Sequence, residues 1–472
     1  MKSQILSCIF VIITFSVSAQ LNHALRDENG RHVIGRGFVL VTNDSYFDCE
    51  DYMRMVRLGA NFQVIRLELG RLSQFPGAKL DQEYLAKLDT LVQLGRNAGI
   101  KTVFKMTVYG LREFSWEAFW QNNNRQNEIY LDAWKIIWNR YKDDDSVVGY
   151  DLLNEPRKLE MDISYDELTK KYLLPLYRQL IDESHKINPE KYCLIQSIFM
   201  NKGEKINGNQ YYEINYPLKR KNVLFAPHIY QENKALVKPA LLRFEKESKV
   251  LEAPVFICEW GFPTFDKTDS NMNGRLGQLN YMDFYMRTAE LFDSLGFNTI
   301  KAWFSGTPHK QNFLSGGPST WAIFSDSQAV GTTERKYITD IIARPFPQAI
   351  AGDIQSFKYN FATRCLEIYL ISDNRKGTSK IFIGANRHYP DGFSVVLNDS
   401  FIMYHDPLKN LGLEIHNLMN SSNPADFFWD ENTQQLIIQK WPDDKAEIHV
   451  RIIPGIYTIN HPVTHPKVSR IK

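Results

Sequence analysis

Eight short apolar runs, each followed by a longer stretch of helical period, fill the sequence before Pro345 and predict a (β/α)8 TIM barrel. After that point short alternating runs divided by Gly, Asn, Asp and Pro predict a C-terminal antiparallel β-sandwich. No GxGxxG follows the first run, which disfavours the doubly wound open sheet, the other fold that alternates strands with helices.

In order, the predicted barrel strands are HVIGRGFVL, FQVIRLEL, IKTVFKMTV, VVGYDLLNE, YCLIQS, NVLFAPHIY, PVFICEW and NTIKAWFS. Between them CEDYMRMVRLG, DQEYLAKLDTLVQLGRNAG, EIYLDAWKIIWNRY, YDELTKKYLLPLYRQLIDESHKI and LNYMDFYMRTAELFDSLG have helical period, and Gly follows several of them in the manner of a helix C-cap. The sandwich runs are IQSFKYNF, CLEIYLI, KIFIGA, FSVVLND, LEIHNL, QQLIIQK and AEIHVRII. The boundary is expected in the Pro-containing segment Arg344–Gly352, between the last helix and the first new strand. The division that follows is a leader over 1–19, a catalytic barrel over 20–346, a sandwich over 347–460 and a tail over 461–472.

The chain has 472 residues, 43% of them hydrophobic, enough for one large and one smaller domain. Its formal net charge of +2, without long runs of one sign, argues against nucleic acid or an anionic membrane surface as the main partner. Lys2, the apolar stretch Ile5–Val17 and the small residues Ser18 and Ala19 read as a signal peptide cut after Ala19. The apolar stretch is shorter than the roughly 20 residues a membrane span needs, so a secreted or periplasmic protein without a transmembrane segment is expected. The cysteines beyond the leader, Cys49, Cys193, Cys258 and Cys365, are too few and too scattered for a disulfide scaffold; pairing of Cys193 with Cys258 stays open.

In such a barrel the reactive groups stand at the carboxyl ends of the strands. The fourth run ends Asn154-Glu155-Pro156 and the seventh Glu259-Trp260-Gly261, which puts two carboxylates at the barrel mouth. Cleaving a glycosidic bond needs such a pair, one protonated to assist the leaving oxygen and one ionised to attack the anomeric carbon or activate water. Arg66, in the apolar second run, would be a costly buried charge unless a carboxylate faces it, and Glu259 is the natural partner. His228 and Tyr230, two apart in the sixth run, share one side of a strand and point together. Trp303 closes the eighth run as an apolar floor for a sugar ring or a core aromatic. Trp116 and Trp120, after the third run, fit either sugar stacking or packing, whereas Trp134 and Trp138, four apart in a helix, fit the core.

These residues, taken as an ordered set, resemble glycoside hydrolase family 5: Arg on the second strand, Asn-Glu-Pro on the fourth, His-x-Tyr on the sixth, Glu on the seventh and Trp on the eighth. The resemblance implies Glu155 as acid/base and Glu259 as nucleophile, Asn154 on the sugar 2-hydroxyl, Arg66 and Tyr230 bonding the nucleophile, His228 orienting the pair, and Trp303 lining the −1 subsite. Family members usually carry a His at the end of the third strand; here KTVFKMTVYG places Lys105, Thr107 and Tyr109 there instead, which puts substrate contacts in doubt more than the reaction type. The segments RPFPQAIAGDIQSFKYNF and TSKIFIGANRHYPDGFSVVLND resemble the C-terminal sandwich of endoglycoceramidases. The expectation is a retaining β-glycosidase acting on a β-linked oligosaccharide, polysaccharide or glycolipid, with no cofactor and no metal. The alternative is an inactive carbohydrate-binding protein on the same barrel. A metal-dependent hydrolase would need clustered His ligands, and neither HxH at a strand end nor HExxH is present.

Overall fold

The computed structural model describes residues 24–41, 47–159, 161–201, 203–205, 210–231, 233–262, 264, 275–304, 322–324, 334–407 and 426–456. The expected leader, the run LEIHNL and the tail over 461–472 lie outside them.

The expected barrel is present. Its strands are β2 (Arg36–Val41), β3 (Phe62–Leu67), β4 (Lys101–Met106), β5 (Val147–Asp151), β6 (Tyr192–Ile195), β7 (Val223–Phe225), β8 (His228–Ile229), β9 (Phe256–Trp260) and β10 (Asn298–Lys301). They run parallel in the order β7-β6-β5-β4-β3-β2-β10-β9-β8. β7 and β8 are two halves of the predicted sixth strand, separated by Ala226 and Pro227. The first half pairs with β6 and the second with β9, with His228 opposite Glu259, so eight staves close the cylinder.

Side-chain alternation sorts each stave into two faces. Val39, Phe62, Val64, Val103, Leu194, Leu224, Phe256 and Ile300 fill the interior. Ile65, Phe104, Tyr150, Ile195, Phe225 and Ile257 face outward to the helices. Those helices include Cys49–Arg57, Gln82–Asn97, Gln126–Tyr141, Leu174–Ile187, Lys234–Leu251 and Arg275–Leu295. Their starts follow capping chemistry: Asp48 and Asp81 accept hydrogen bonds from the first free backbone N–H groups of their helices. The predicted helix Tyr165–Ile187 passes through a π-turn at Thr169–Leu173 just before Pro175, whose missing N–H the wider turn accommodates.

The first predicted strand splits. His32–Val33 (β1) leaves the barrel and pairs antiparallel with β11 (Phe346–Ile350). The break comes at Gly35, whose N–H donates to the Asn298 side chain at 2.7 Å. Within the expected boundary segment β11 is itself a strand, where a connection was expected, and Pro347 is accommodated beside a register irregularity opposite β14 (Ser379–Phe382).

The C-terminal sandwich has two antiparallel sheets. One joins β1, β11, β14 (Ser379–Phe382), β18 (Gln435–Ile438) and β17 (Phe427–Asp430). The other joins β12 (Gly352–Asn360), β13 (Cys365–Ser372), β19 (Glu447–Pro454), β15 (Phe393–Leu397) and β16 (Ser400–His405). Leu366, Ile368 and Leu370 alternate inward on β13, as do Ile448, Val450 and Ile452 on β19. Arg36 and Arg344 close on Asp293 where sandwich meets barrel, and the Arg36 guanidinium lies 3.8 Å from the Phe346 ring centroid. No helix of the described residues is long and apolar enough to cross a membrane.

Candidate active site

One layer above the apolar interior, the inward positions of the staves turn polar. Alternation carries Val64 to Arg66 on β3, Val103 to Lys105 on β4, and Leu194 to Gln196 beyond β6. On β8 it carries Ala226 to His228 and Tyr230. β9 departs from strict alternation: Cys258 lies with the interior residues while Trp260 packs outside, and the pairing of β9 with β10 shifts register between Thr299 and Lys301. This bulge turns two successive residues, Cys258 and Glu259, toward the axis, as bulges near active sites do.

Both Glu259 oxygens are held. Oε1 accepts from Lys105 Nζ at 2.6 Å, and Oε2 accepts from the Tyr230 hydroxyl. Burial pushes this carboxyl up, but the Lys105 charge, His228 and the hydrogen bonds of Lys105 and Tyr230 outweigh it and bring it down to about 2. Glu259 is therefore ionised across the physiological range.

Glu155 faces it from the loop after β5. Its Oε1 lies 3.0 Å from His228 Nδ1 and 3.4 Å from the Tyr211 hydroxyl, and its Oε2 is 3.6 Å from Arg157. The residue has a left-handed backbone, φ 46°, although a proline follows it. That conformation costs roughly 1–2 kcal/mol for a residue with a Cβ. The Gln196 side chain, accepting from the Glu155 N–H at 2.9 Å, holds it in place. Strain stored this way is common where a reactive group must be aimed. Burial pushes the Glu155 carboxyl up, while the His228 hydrogen bond, the ring's charge when protonated, and Arg157 bring it below its ordinary value.

Six of the seven anticipated residues converge in this description: Glu155, Glu259, His228 and Tyr230 through the contacts above, and Asn154 and Trp303 by position. Asn154 is buried, its N–H donates to Met106 O at 3.0 Å, and its side-chain oxygen has no protein partner. Trp303 belongs to the interior cluster, after a cis Ala302–Trp303 peptide. Arg66 is half-buried on β3 and stands opposite Lys105 in the β3–β4 register. The cation 2.6 Å from Glu259 is Lys105 where Arg66 was expected. Lys105 is fully buried.

The sequence reading missed a layer beneath the carboxylates. Asp151 accepts from Gln196 Nε2 at 3.0 and 2.7 Å and from the Cys258 thiol at 3.1 Å, and lies 3.4 Å from Lys105 Nζ. Inward parity would have found Lys105 and Asp151; nothing local marks Tyr211, which arrives from a loop. Ligand atoms of Asp151, His228 and Cys258 lie within 4.8 Å of one another, a spacing that suits a metal ion. The Lys105 ammonium sits among them, 2.9 Å from His228 Nε2, so the cation at this position is the protein's own. Burial pushes the Cys258 thiol well up, and it serves as a donor. Cys193 and Cys258 are both free. Trp116 and Trp120 are buried in an aromatic cluster with Phe119, which settles the open choice in favour of packing, and Trp134 and Trp138 stack in the core as expected.

A closed parallel barrel with two opposed glutamates at its carboxyl rim is the arrangement of a glycoside hydrolase. Residues 27–305 match the family described as Cellulase (glycosyl hydrolase family 5), and residues 344–452 match the glycoside hydrolase family 5 C-terminal domain. The chain belongs to glycosyl hydrolase family 5. A curated relative, an endoglycoceramidase of Cyanea nozakii, is 23% identical over 310 residues, 59% of this chain; the chain spans 54% of that relative's length. Endo-glycoceramidase II from Rhodococcus sp., solved as a lactosyl-enzyme intermediate, superposes with a TM-score of 0.67 at 17% identity, covering 92% of this chain and 100% of that one. An endogalactoceramidase structure superposes at 0.62 with 15% identity, covering 91% and 98%. These structural likenesses establish the shared fold.

Proposed function

We propose that the protein hydrolyses a β-glucoside-type glycan or glycolipid by double displacement, with Glu259 as nucleophile and Glu155 as acid/base. The observation that carries this reading is the placing of one atom, His228 Nδ1, 3.0 Å from Glu155 and 3.8 Å from Glu259. Two carboxyl groups that one imidazole nitrogen reaches together suit the retaining separation of about 5–5.5 Å better than the wider inverting one.

In the first step a Glu259 oxygen attacks the anomeric carbon as the bond to the aglycone oxygen breaks, and Glu155 gives that oxygen its proton. In the second, Glu155 takes a proton from water, the water oxygen bonds the anomeric carbon, and Glu259 leaves as carboxylate. Asn154 presents its unpartnered oxygen to a sugar hydroxyl, and Trp303 offers an apolar face beneath the ring. The sandwich and the near-complete overlap with the Rhodococcus enzyme favour a glycosyl ceramide or a similar lipid-linked glycoside over a soluble β-glucan. The N-terminal pattern supports export from the cytoplasm.

The test is incubation with aryl β-glycosides, β-glucans, β-mannans and glucosyl or lactosyl ceramides, reading product anomers by NMR. Retention is expected, with release of free ceramide and intact sugar. Glu259→Gln should lose at least about three orders of magnitude in rate, because the covalent route is removed. Near-normal turnover in that variant, or inverted product, would overturn the reading.

A further inference from the structure

The lysine at the axis does more than balance a charge. An ammonium has three donors and no acceptor. Two of those on Lys105 meet Glu259 Oε1 at 2.6 Å and His228 Nε2 at 2.9 Å, and Asp151 Oδ2 lies 3.4 Å from the nitrogen as a further ionic partner. Because Nζ can only donate, His228 Nε2 must accept. The ring proton then resides on Nδ1, which faces Glu155 Oε1 at 3.0 Å and Glu259 Oε2 at 3.8 Å. A second ring proton at Nε2 would set two donors head to head at 2.9 Å, beside a fixed positive charge.

Resting on the double-displacement reading above, we propose that Lys105 is the positioning residue that fixes the proton pattern of the whole centre. It keeps Glu259 ionised for attack and, by occupying Nε2, holds His228 as an Nδ1–H donor to Glu155. The charged and titratable groups around it are Asp151 on β5, His228 and Tyr230 on β8, Cys258 and Glu259 on β9, Arg66 beside it on β3, and Glu155 across the mouth. Burial opposes the Lys105 charge, yet Glu259 and Asp151 hold its pKa raised, so the ammonium persists over the working range. With His228 kept from taking a second proton, its positive charge is withheld from Glu155. What then acts on that carboxyl besides hydrogen bonds is burial and the charge of Glu259, both upward, toward the protonated state a general acid needs, against the single downward pull of Arg157 at 3.6 Å.

Removing the ammonium therefore has two opposite consequences. Glu259 loses its cation and titrates at higher pH. His228 becomes free to take a proton at Nε2, and its charge drags Glu155 down. The bell-shaped profile of kcat/KM should narrow from both sides, a signature that a merely structural lysine would not produce.

The experiment compares the full-length unaltered protein with Lys105→Met and Lys105→Arg, using aryl β-glycosides of good and poor leaving groups. In Lys105→Met, kcat/KM should fall about 100-fold or more, as when one preorganised donor to a reacting group is lost. The acid limb should rise by at least about one pH unit, because a unit charge in contact shifts a carboxyl by that much or more. The alkaline limb should fall only for poor leaving groups, which need the acid. Lys105→Arg should restore the acid limb but not the full rate. An unchanged profile in Lys105→Met overturns the proposal. If that variant does not fold, the unaltered enzyme still decides: its kcat/KM should stay flat to below pH 4 in buffers where the fold survives, and an acid limb at the ordinary carboxyl value overturns the inference. Labelling of the unaltered enzyme by a 2-deoxy-2-fluoro-β-glycosyl fluoride separates the two claims: failure to label Glu259 sinks the double-displacement reading, whereas labelling with an unchanged Lys105→Met profile sinks only the role of Lys105.

Discussion

The barrel holds two buried ionic clusters that look alike in composition and differ in purpose. At the sandwich junction Arg36 and Arg344 bracket Asp293; its Oδ1 accepts from Arg36 at 2.6 Å and from Arg344 at 2.5 Å, and its Oδ2 from Arg344 Nε at 2.8 Å. The remaining guanidinium donors reach backbone carbonyls, Arg36 that of Arg344 and Arg344 those of Ala289 and Ile341. At the mouth, Lys105 is equally buried, but the carboxylate it holds faces a second carboxyl, Glu155, with His228 Nδ1 within 3.8 Å of both. A planar fork bonded to an anion and to backbone carbonyls at once locks elements together, whereas a point charge beneath an aimed carboxylate sets chemistry. Burial of an ion pair alone therefore does not mark function; what marks it is a second carboxyl group brought within reach of the first by one shared imidazole.

That contrast can be broken with one substitution at each end. Asp293→Ala leaves two guanidinium groups buried without a carboxylate and should cost about 3–5 kcal/mol of stability, as removing one partner of a buried pair does. The specific activity of the molecules that remain folded should not change. Glu259→Gln should show the reverse, with activity abolished and a midpoint of thermal unfolding closer to that of the unaltered protein. Thermal melts and active-site titration on the two variants distinguish the cases. An Asp293→Ala variant as stable as the parent would mean that the junction cluster is ornamental.

Strand and helix runs were legible because period 2 and period 3.6 leave plain marks, and the two glutamates because they end apolar staves. The split of HVIGRGFVL was not legible: both halves have strand propensity, and only the docking of β11, more than 300 residues later in the chain, separates them. Lys105 was seen and set aside because a missing His drew attention from the residue in its place. Arg66 and Lys105 stand side by side in the β3–β4 register, so sequence parity gives both an inward position and does not say that Lys105 ends beside Glu259. Trp116 and Trp120 lie on a short helix past the third stave, and whether such a ring faces sugar or core depends on tertiary packing that no local pattern encodes.

Acid should separate the two regions more gently. Burial holds His32 neutral, its pKa lowered to about 3, and His388 likewise to about 4. Both serve the sandwich side: His32 accepts from the Ile354 N–H at 3.2 Å, and His388 lies 3.0 Å from Ala343 O. Because the unfolded chain takes up these protons near 6.5 and the folded one does not, their stability is fully present above that value. It is lost progressively as pH falls toward the folded values. By pH 5 each should have given up about 2 kcal/mol. Glu259, depressed to about 2, contributes stability that persists until the pH falls below its ordinary 4.5. Asp51 and Glu247, whose carboxyls burial pushes up to about 7, act in the opposite sense over the same range, so the imidazole contribution is read as a difference: His388→Gln should lose less melting temperature between pH 7 and 5 than the parent, while the catalytic acid limb does not move. An identical pH dependence in His388→Gln and the parent would show that His388 is protonated in the fold.

The smallest effect expected is at Tyr211, which tests how much of the Glu155 environment comes from outside the staves. Its hydroxyl lies 3.4 Å from Glu155 Oε1, near the limit of a useful hydrogen bond, and its backbone oxygen accepts from Arg243 at 2.6 Å. Arg243 is paired with Glu247, which also accepts from the Ile214 N–H and from Ser197, so the loop is fixed without the hydroxyl. Tyr211→Phe should therefore keep the ring in place, packed edge-on against Phe199, and lose only a weak contact of about 0.5 kcal/mol, two- to threefold in rate. The loss should appear with poor leaving groups, whose departure needs the Glu155 proton, and vanish with dinitrophenyl glycosides. Equal losses on both would place Tyr211 on the sugar instead of on the acid.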